Sequence, residues 1–269
     1  MDYKEITRVN FTAGGFGRRQ PLRGEGVAWR QLPAELLSAT DHLIVVRCGE
    51  PPFRAVLGVP HHAAPGAVRI CERRLDAQGR LDPREADENA ALYALAAFAA
   101  LFEQSLPCKL VIMAHATTHD PNKISNSPYC REIFAEPAHL IFECHGSRRE
   151  RRLDLELSAG RNPLPNTPAF GSKLAEALDY RFSLGVQREA GKRQASIYTR
   201  GGEMSEGELE LPAHKTHSLV EAGRRGLQAL HLEARPRFRR FAQGGGVSED
   251  GQALGEGIAR TVHTYLNNH

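Results

Sequence analysis

The run Leu140-Ile141-Phe142-Glu143-Cys144-His145-Gly146 constrains this chain more than any other stretch. Its apolar half suits a buried strand, and its second half carries a carboxylate, a thiol and an imidazole to the carboxyl end. Gly146 then lets the chain turn. The same layout recurs. His42 to Arg47 reads as a strand, Phe53 to Val59 as a second one stopped by Pro60, and Lys109 to Met113 and Gln228 to Ala234 as others. Leu153 to Ser158 alternates as a half-exposed strand does. Helical stretches fall between them, over Asn89 to Glu103, Arg131 to Phe134, Ser172 to Tyr180 and Gly251 to Leu266. Strands alternating with helices predict an α/β class, a three-layer α/β/α arrangement around a mostly parallel mixed sheet. Ligands of such sheets bind outside the carboxyl ends of the strands. His61-His62, His115 to Lys123, His145 and the His231 to Glu233 segment all fall at such ends.

A chain of 269 residues fits one domain, here expected over 1–269 with a core from residue 41. Residues 1–40 carry Gly14-Gly15-Phe16-Gly17 and read as an edge ribbon or loop. The polar stretch from Arg69 to Arg84 is broken by Gly79 and Pro83, and residues 185 to 216 give no clear pattern. The hydrophobic share is 41% and the charged share 25%, as in ordinary globular proteins. The Ala-rich run from Ala90 to Phe102 is too short to span a bilayer, and the start lacks the layout of a secretion signal. A cytoplasmic location and no membrane partner are expected. The 5 cysteines have no CxxC spacing, which predicts neither a disulfide framework nor a zinc ribbon. Cys144 invites a nucleophilic reading, but strand alternation points it away from His145, so it is read as a packing residue. Net charge is only +3, and the clusters Arg148 to Arg152 and Arg235 to Arg240 have acidic or apolar residues interleaved and show no clear aromatic stacking pattern. They read as solvated surface, and nucleic acid is not expected as a partner.

The residues at the strand ends suit metal-assisted hydrolysis. A catalytic zinc takes three ligands from His, Asp or Glu and keeps a position open for water. It lowers the pKa of that water to about 7 and polarises a carbonyl. His61, Asp87 or Glu88, and His145 are offered as ligands to one Zn2+ per chain. Asp87 and Glu88 also suit a first helical turn, where the dipole favours acids. Glu233 suits the carboxylate that takes the proton of the water and passes it to the leaving nitrogen. Asn122 with Lys123, or a nearby arginine such as Arg161, suits a grip on a substrate carboxylate. His62 is placed with the substrate-facing residues, Tyr129 reads as an anchoring aromatic or a substrate contact, and His231 is expected to orient Glu233 or the water. His115 and His119 have HxxxH spacing but lie in a loop-like stretch, so they read as loop hydrogen-bonders or substrate contacts.

The ordered set Pro60 to Gly66 (PHHAAPG), Ala86 to Asn89 (ADEN), His119 to Lys123 (HDPNK), Glu143 to Gly146 (ECHG) and His231 to Pro236 (HLEARP) resembles the N-formylglutamate amidohydrolase family. That family shows PHSG, an aspartate-led helix start, DLNR, DCHS and a late QIEINR-like segment. It is similar in fold to zinc carboxypeptidases and aspartoacylase-type enzymes. The resemblance implies that His61 and His145 are metal ligands and that Asp87, with Glu88 adjacent, completes the set. It implies Asn122-Lys123 as the grip on substrate carboxylate and Glu233 as general base. The expected substrate is an N-acyl amino acid or short peptide with a free carboxylate.

This chain departs from the family pattern at chosen points. Lys123 stands where the family has arginine, which removes the planar fork that binds a carboxylate bidentately. His62 replaces the serine of the first motif and Gly146 that of the fourth. The compact HxxE ligand pair of carboxypeptidases is absent, since Ala64 and Pro65 stand there. These changes motivate an alternative, a non-catalytic metal- or anion-binding regulatory protein that keeps the fold.

Overall fold

The apolar runs assemble edge to edge into one sheet. The computed structural model describes residues 35–39, 43–63, 70–75, 81–84, 87–114, 121–147, 152–214, 216–240, 242 and 247–267. Its strands are β1 (Glu35–Ala39), β2 (Leu43–Cys48), β3 (Phe53–Ala63), β4 (Ile70–Leu75), β5 (Leu81–Arg84), β6 (Asp87–Glu88), β7 (Cys108–Ala114), β8 (Ala138–Gly146), β9 (Leu155–Ser158), β10 (Leu184–Gln187), β11 (Gln194–Tyr198), β12 (Met204–Glu208) and β13 (Gln228–Ala234). The helices are α1 (Ala91–Glu103), α2 (Pro128–Ile133), α3 (Thr167–Ala177), α4 (His217–Arg224) and α5 (Glu249–Asn267). Short 3-10 turns lie at Pro121–Lys123 and Pro236–Arg239.

The main sheet runs β1-β2-β7-β3-β8-β13-β9-β10-β11-β12, with β6 added beside the end of β3. Its centre, β7-β3-β8-β13, is parallel. β2 and β9 flank that centre antiparallel, and β10 runs parallel to β9. Strands buried on both faces must be apolar throughout, which is why β2, β3, β7 and β8 read as continuous apolar runs. α1, α3 and α5 cover one face over a core that includes Leu57, Phe142, Cys144 and Leu232. α2 and α4 cover the other, with Val56, Ile141 and Ala229 beneath them and Tyr129 of α2 packed among these. α1 is buried from Ala91 through Leu101 because it packs between the sheet and α5. Among the described residues, no helix is long and apolar enough to cross a membrane.

The structure differs from the sequence expectations in places. Pro60 does not end β3, which continues to Ala63 after an irregularity between Val59 and His62. Asp87-Glu88 does not open the helix but bridges to His62-Ala63 as β6, so α1 starts later, at Ala91. The polar stretch after Arg69 forms the β4–β5 hairpin, and residues 185 to 216 supply β10, β11 and β12. Pairing supplied by neighbours, not intrinsic pattern, makes strands of these segments. Most of residues 1–40, and His115 to Asp120, lie outside the described residues.

Asp154 ties the start of β9 to its surroundings. Its Oδ2 accepts from the Ser183 amide (3.1 Å), the Ser183 hydroxyl (3.0 Å) and Arg200 (3.3 Å). Arg235 and Arg237 each approach Oδ1 to 3.7 Å. Burial would raise this carboxyl, but the Ser183 and Arg200 contacts outweigh it and hold its pKa below the ordinary value. A carboxyl depressed on folding stabilises above its unfolded pKa of about 4, and the benefit is lost as pH falls through the folded value. Asp154→Asn is expected to cost about 1.5–3 kcal/mol at pH 7, the range for hydrogen bonds to a charged group. Urea unfolding at pH 7 and at about pH 3 checks this. The gap between wild type and variant closes on acidification.

Candidate metal centre

Strand alternation fixes which side chains of β8 and β13 share a face. Glu143 and His145 project with Ile141 toward α2 and α4, while Phe142 and Cys144 project toward α1. In β13, His231 and Glu233 share the face of Ala229. The parallel register sets His231 opposite Glu143 and Glu233 opposite His145. Two carboxylates and two imidazoles thereby form one block across neighbouring strands.

β3 and β6 bring the remaining donors. His61 Nδ1 lies 3.5 Å from Asp87 Oδ2, and His145 Nδ1 lies 3.3 Å from the same oxygen. The His61 and His145 rings meet edge to face at 4.9 Å. Asp87 Oδ2 is buried and accepts no hydrogen bond among the described residues. Burial would raise this carboxyl, but His145 and His61 hold it well below the usual carboxylate range. An ionised oxygen facing two imidazole nitrogens, with no hydrogen bond to any, is chemically incomplete. Ligands of a tetrahedral zinc at about 2.0–2.1 Å stand about 3.3 Å apart. The spacing and the N, N, O donor set of His61, Asp87 and His145 therefore fit a zinc ion. The side chain of Glu88 lies outside those described.

Beside these donors, Glu233 Oε1 lies 3.0 Å from His231 Nε2, and its Oε2 is buried without a hydrogen bond among the described residues. Burial would lower the His231 pKa, but Glu143 and Glu233 raise it to about 9. Asn122 is buried in the 3-10 turn, its Nδ2 3.4 Å from His145 Nε2, and Lys123 follows it half-buried.

Other sequence candidates lie elsewhere or are committed to other work. Arg161 is exposed in the turn after β9. Because β9 runs antiparallel to β13, that turn lies at the opposite end of the strands, where Asn162 donates to the Leu227 carbonyl at 3.0 Å. His62 is buried, and its Nδ1 accepts the Ala91 amide at 3.3 Å, at the start of α1. Burial lowers its pKa to about 4, partly countered by Asp87, so it stays a neutral acceptor rather than a substrate contact. Tyr129 is fully buried and donates its hydroxyl to Glu143 Oε1 at 2.8 Å, which removes it from any substrate-facing surface. Burial pushes the Cys144 thiol up, as suits packing and not nucleophilic attack. Arg237 pairs with Asp250 at 2.7 Å, so part of the second arginine cluster is spent within the fold.

Supporting residues escaped the sequence reading. Tyr93, buried in the Ala-rich α1, donates to the His145 carbonyl at 2.9 Å. Arg239 donates to the Ala234 carbonyl at 3.1 Å and the Ser147 carbonyl at 2.9 Å, clamping the ends of β13 and β8. A Cβ at position 146 would stand 2.5 Å from the Arg239 Cζ. The guanidinium thus occupies the space that a serine would need there, and the glycine was the visible signal.

No family model matches the chain, and no curated protein matches it either. Among solved structures it is similar to N-formylglutamate amidohydrolase from Ralstonia eutropha, at 11% identity and a TM-score of 0.47 over 84% of this chain and 97% of that one. A bacteriophage poly-gamma-glutamate hydrolase matches at 11% identity and TM-score 0.44, covering 85% and 91%. A metallo-carboxypeptidase from Pseudomonas aeruginosa matches at 13% identity and TM-score 0.46. There the alignment covers 87% of this chain but 64% of the carboxypeptidase.

Proposed function

We propose that this chain is a zinc-dependent hydrolase that cleaves the amide bond of an N-acyl amino acid or short peptide bearing a free carboxylate. The observation that carries the reading is the buried Asp87 Oδ2, facing His61 and His145 without a hydrogen bond, beside the strand that bears Glu233. The ordered motifs shared with the N-formylglutamate amidohydrolases support the same reading. Held by His61, Asp87 and His145, zinc would supply Lewis acidity toward the scissile carbonyl and the attacking water.

The chain's own residues do the rest. Glu233 takes the proton of the attacking water and delivers it to the leaving nitrogen. His231 holds Oε1 of that carboxylate, which fixes the direction in which Oε2 is presented. Lys123, one ammonium in place of a guanidinium fork, attracts the substrate carboxylate as a point charge.

Protein purified without added metal is expected to carry about one zinc per chain. Treatment with 1,10-phenanthroline should abolish turnover of a panel of N-formyl-, N-acetyl- and γ-glutamyl-amino acids, and added zinc should restore it. Metal binding with no turnover across the panel would instead favour the non-catalytic binding protein. Protein without metal and without chelator-sensitive turnover would sink both the hydrolase and the metal-binding alternative.

A further inference from the structure

We infer that Glu143 is a positioning residue that orients both halves of the site at once, and that Tyr129 acts through it. This rests on the zinc-hydrolase reading. Glu143 is fully buried at the centre of the block. Tyr129 donates to its Oε1, and its Oε2 stands 3.7 Å from both His145 Nε2 and His231 Nδ1. Neither Glu143 Oε2 nor His231 Nδ1 makes a hydrogen bond among the described residues.

Each imidazole therefore divides its nitrogens in the same way. His145 turns Nδ1 to Asp87 and Nε2 to Glu143 and the Asn122 amide, while His231 turns Nε2 to Glu233 and Nδ1 to Glu143. A neutral imidazole that offers a lone pair at Nδ1 carries its proton on Nε2. Glu143 faces that nitrogen of His145, and the neighbouring Asn122 amide can turn its otherwise unbonded oxygen to it, so the two acceptors together favour the tautomer that leaves Nδ1 bare toward the metal position. The same oxygen attracts His231 from behind and sets the ring that holds Glu233.

A second metal between Glu143, His145 and His231 fits the stacking less well. The two rings lie 4.0 Å apart at an interplanar angle of 29°, and rings so nearly parallel do not converge their lone pairs on one ion. The support extends one step further back. A Cβ at position 58 would collide with the Tyr129 hydroxyl, so Gly58, opposite Glu143 in register, makes the space from which Tyr129 reaches it.

The test compares wild type with Glu143→Gln, Glu143→Asp, Tyr129→Phe and the Glu143→Gln/Tyr129→Phe double variant. Zinc affinity is read by competition with a chromogenic chelator, and kcat and KM on the most active panel substrate. Glu143→Gln is expected to weaken zinc binding by about 10–100-fold and to lower kcat with little change in KM. Tyr129→Phe should move both in the same direction by less. The double variant should match Glu143→Gln alone, since Tyr129 acts through that carboxylate. Glu143→Asp, which keeps the charge, should recover most of the zinc affinity. Unchanged zinc affinity in Glu143→Gln, or fully additive effects in the double variant, would overturn the inference. Wild type carrying two zinc ions, one of them lost in Glu143→Gln, would also overturn it, by making Glu143 a ligand. If wild type bound no zinc, the functional reading would fail and this inference with it, whereas in zinc-loaded wild type imidazole 15N shifts read the inference alone. There a proton on His145 Nε2 is expected, and a proton on Nδ1 refutes the role.

Discussion

Replacing His145 with alanine is expected to remove bound zinc and bring hydrolysis down to the uncatalysed background. The imidazole contributes Nδ1 to the group formed with His61 and Asp87, so its loss leaves two donors where a catalytic zinc takes three. Zinc affinity should fall by more than the ~10–100-fold typical of losing an outer partner of a ligand. Metal analysis after dialysis, together with chelator competition, checks this. His145 is only 3% exposed and stacks on His231, so thermal unfolding of the zinc-free forms must be measured alongside. Similar unfolding with lost zinc separates a missing ligand from a disrupted core. Full zinc retention would remove His145 from the ligand set.

Glu233→Gln should have the opposite profile, with zinc retained and chemistry lost. Glutamine keeps the size of the side chain and can still meet His231, but it cannot take a proton from water. A general acid–base contribution of about 10²–10⁴-fold should disappear from kcat. Metal content near that of wild type, combined with this fall, would place the defect in proton transfer. Unchanged turnover would refute Glu233 as the base and, with it, the mechanism proposed above.

The two substitutions also mark how far the residues alone could be read. Gln228 to Ala234 is legible as a strand from its alternation and the following Arg235-Pro236, and the structure gives β13 these bounds. That Cys144 turns away from His145 follows from the two-residue period of a strand and needs no knowledge of neighbours. By contrast, the pairing of His231 with Glu143 and of Glu233 with His145 depends on register between strands more than 80 residues apart. Long-range register is set by packing on both faces and leaves little local trace.

Arg161 illustrates the same limit. As a basic residue after a strand it looks like every other residue at a strand end, yet β9 runs antiparallel to β13 and delivers it to the opposite end of the strands. Tyr129 and His62 show a second limit. Both have groups suited to a substrate, but the fold buries them and spends those groups on Glu143 and on the first turn of α1. Nothing local distinguishes a polar side chain facing a cleft from one satisfying a buried neighbour.

By itself, then, the amino-acid sequence determined the alternating α/β class, the approximate positions of the central strands and the sidedness of β8 and β13. These are local properties, written in apolar runs, breakers and the period of the backbone. Only the tertiary structure decided that Asp87 Oδ2 stands between two imidazoles and that Glu143 sits behind both of them. Those placements come from β6 bridging to the end of β3 and from the parallel register of β8 and β13. Both are contacts between distant segments, chosen by the burial of whole strand faces.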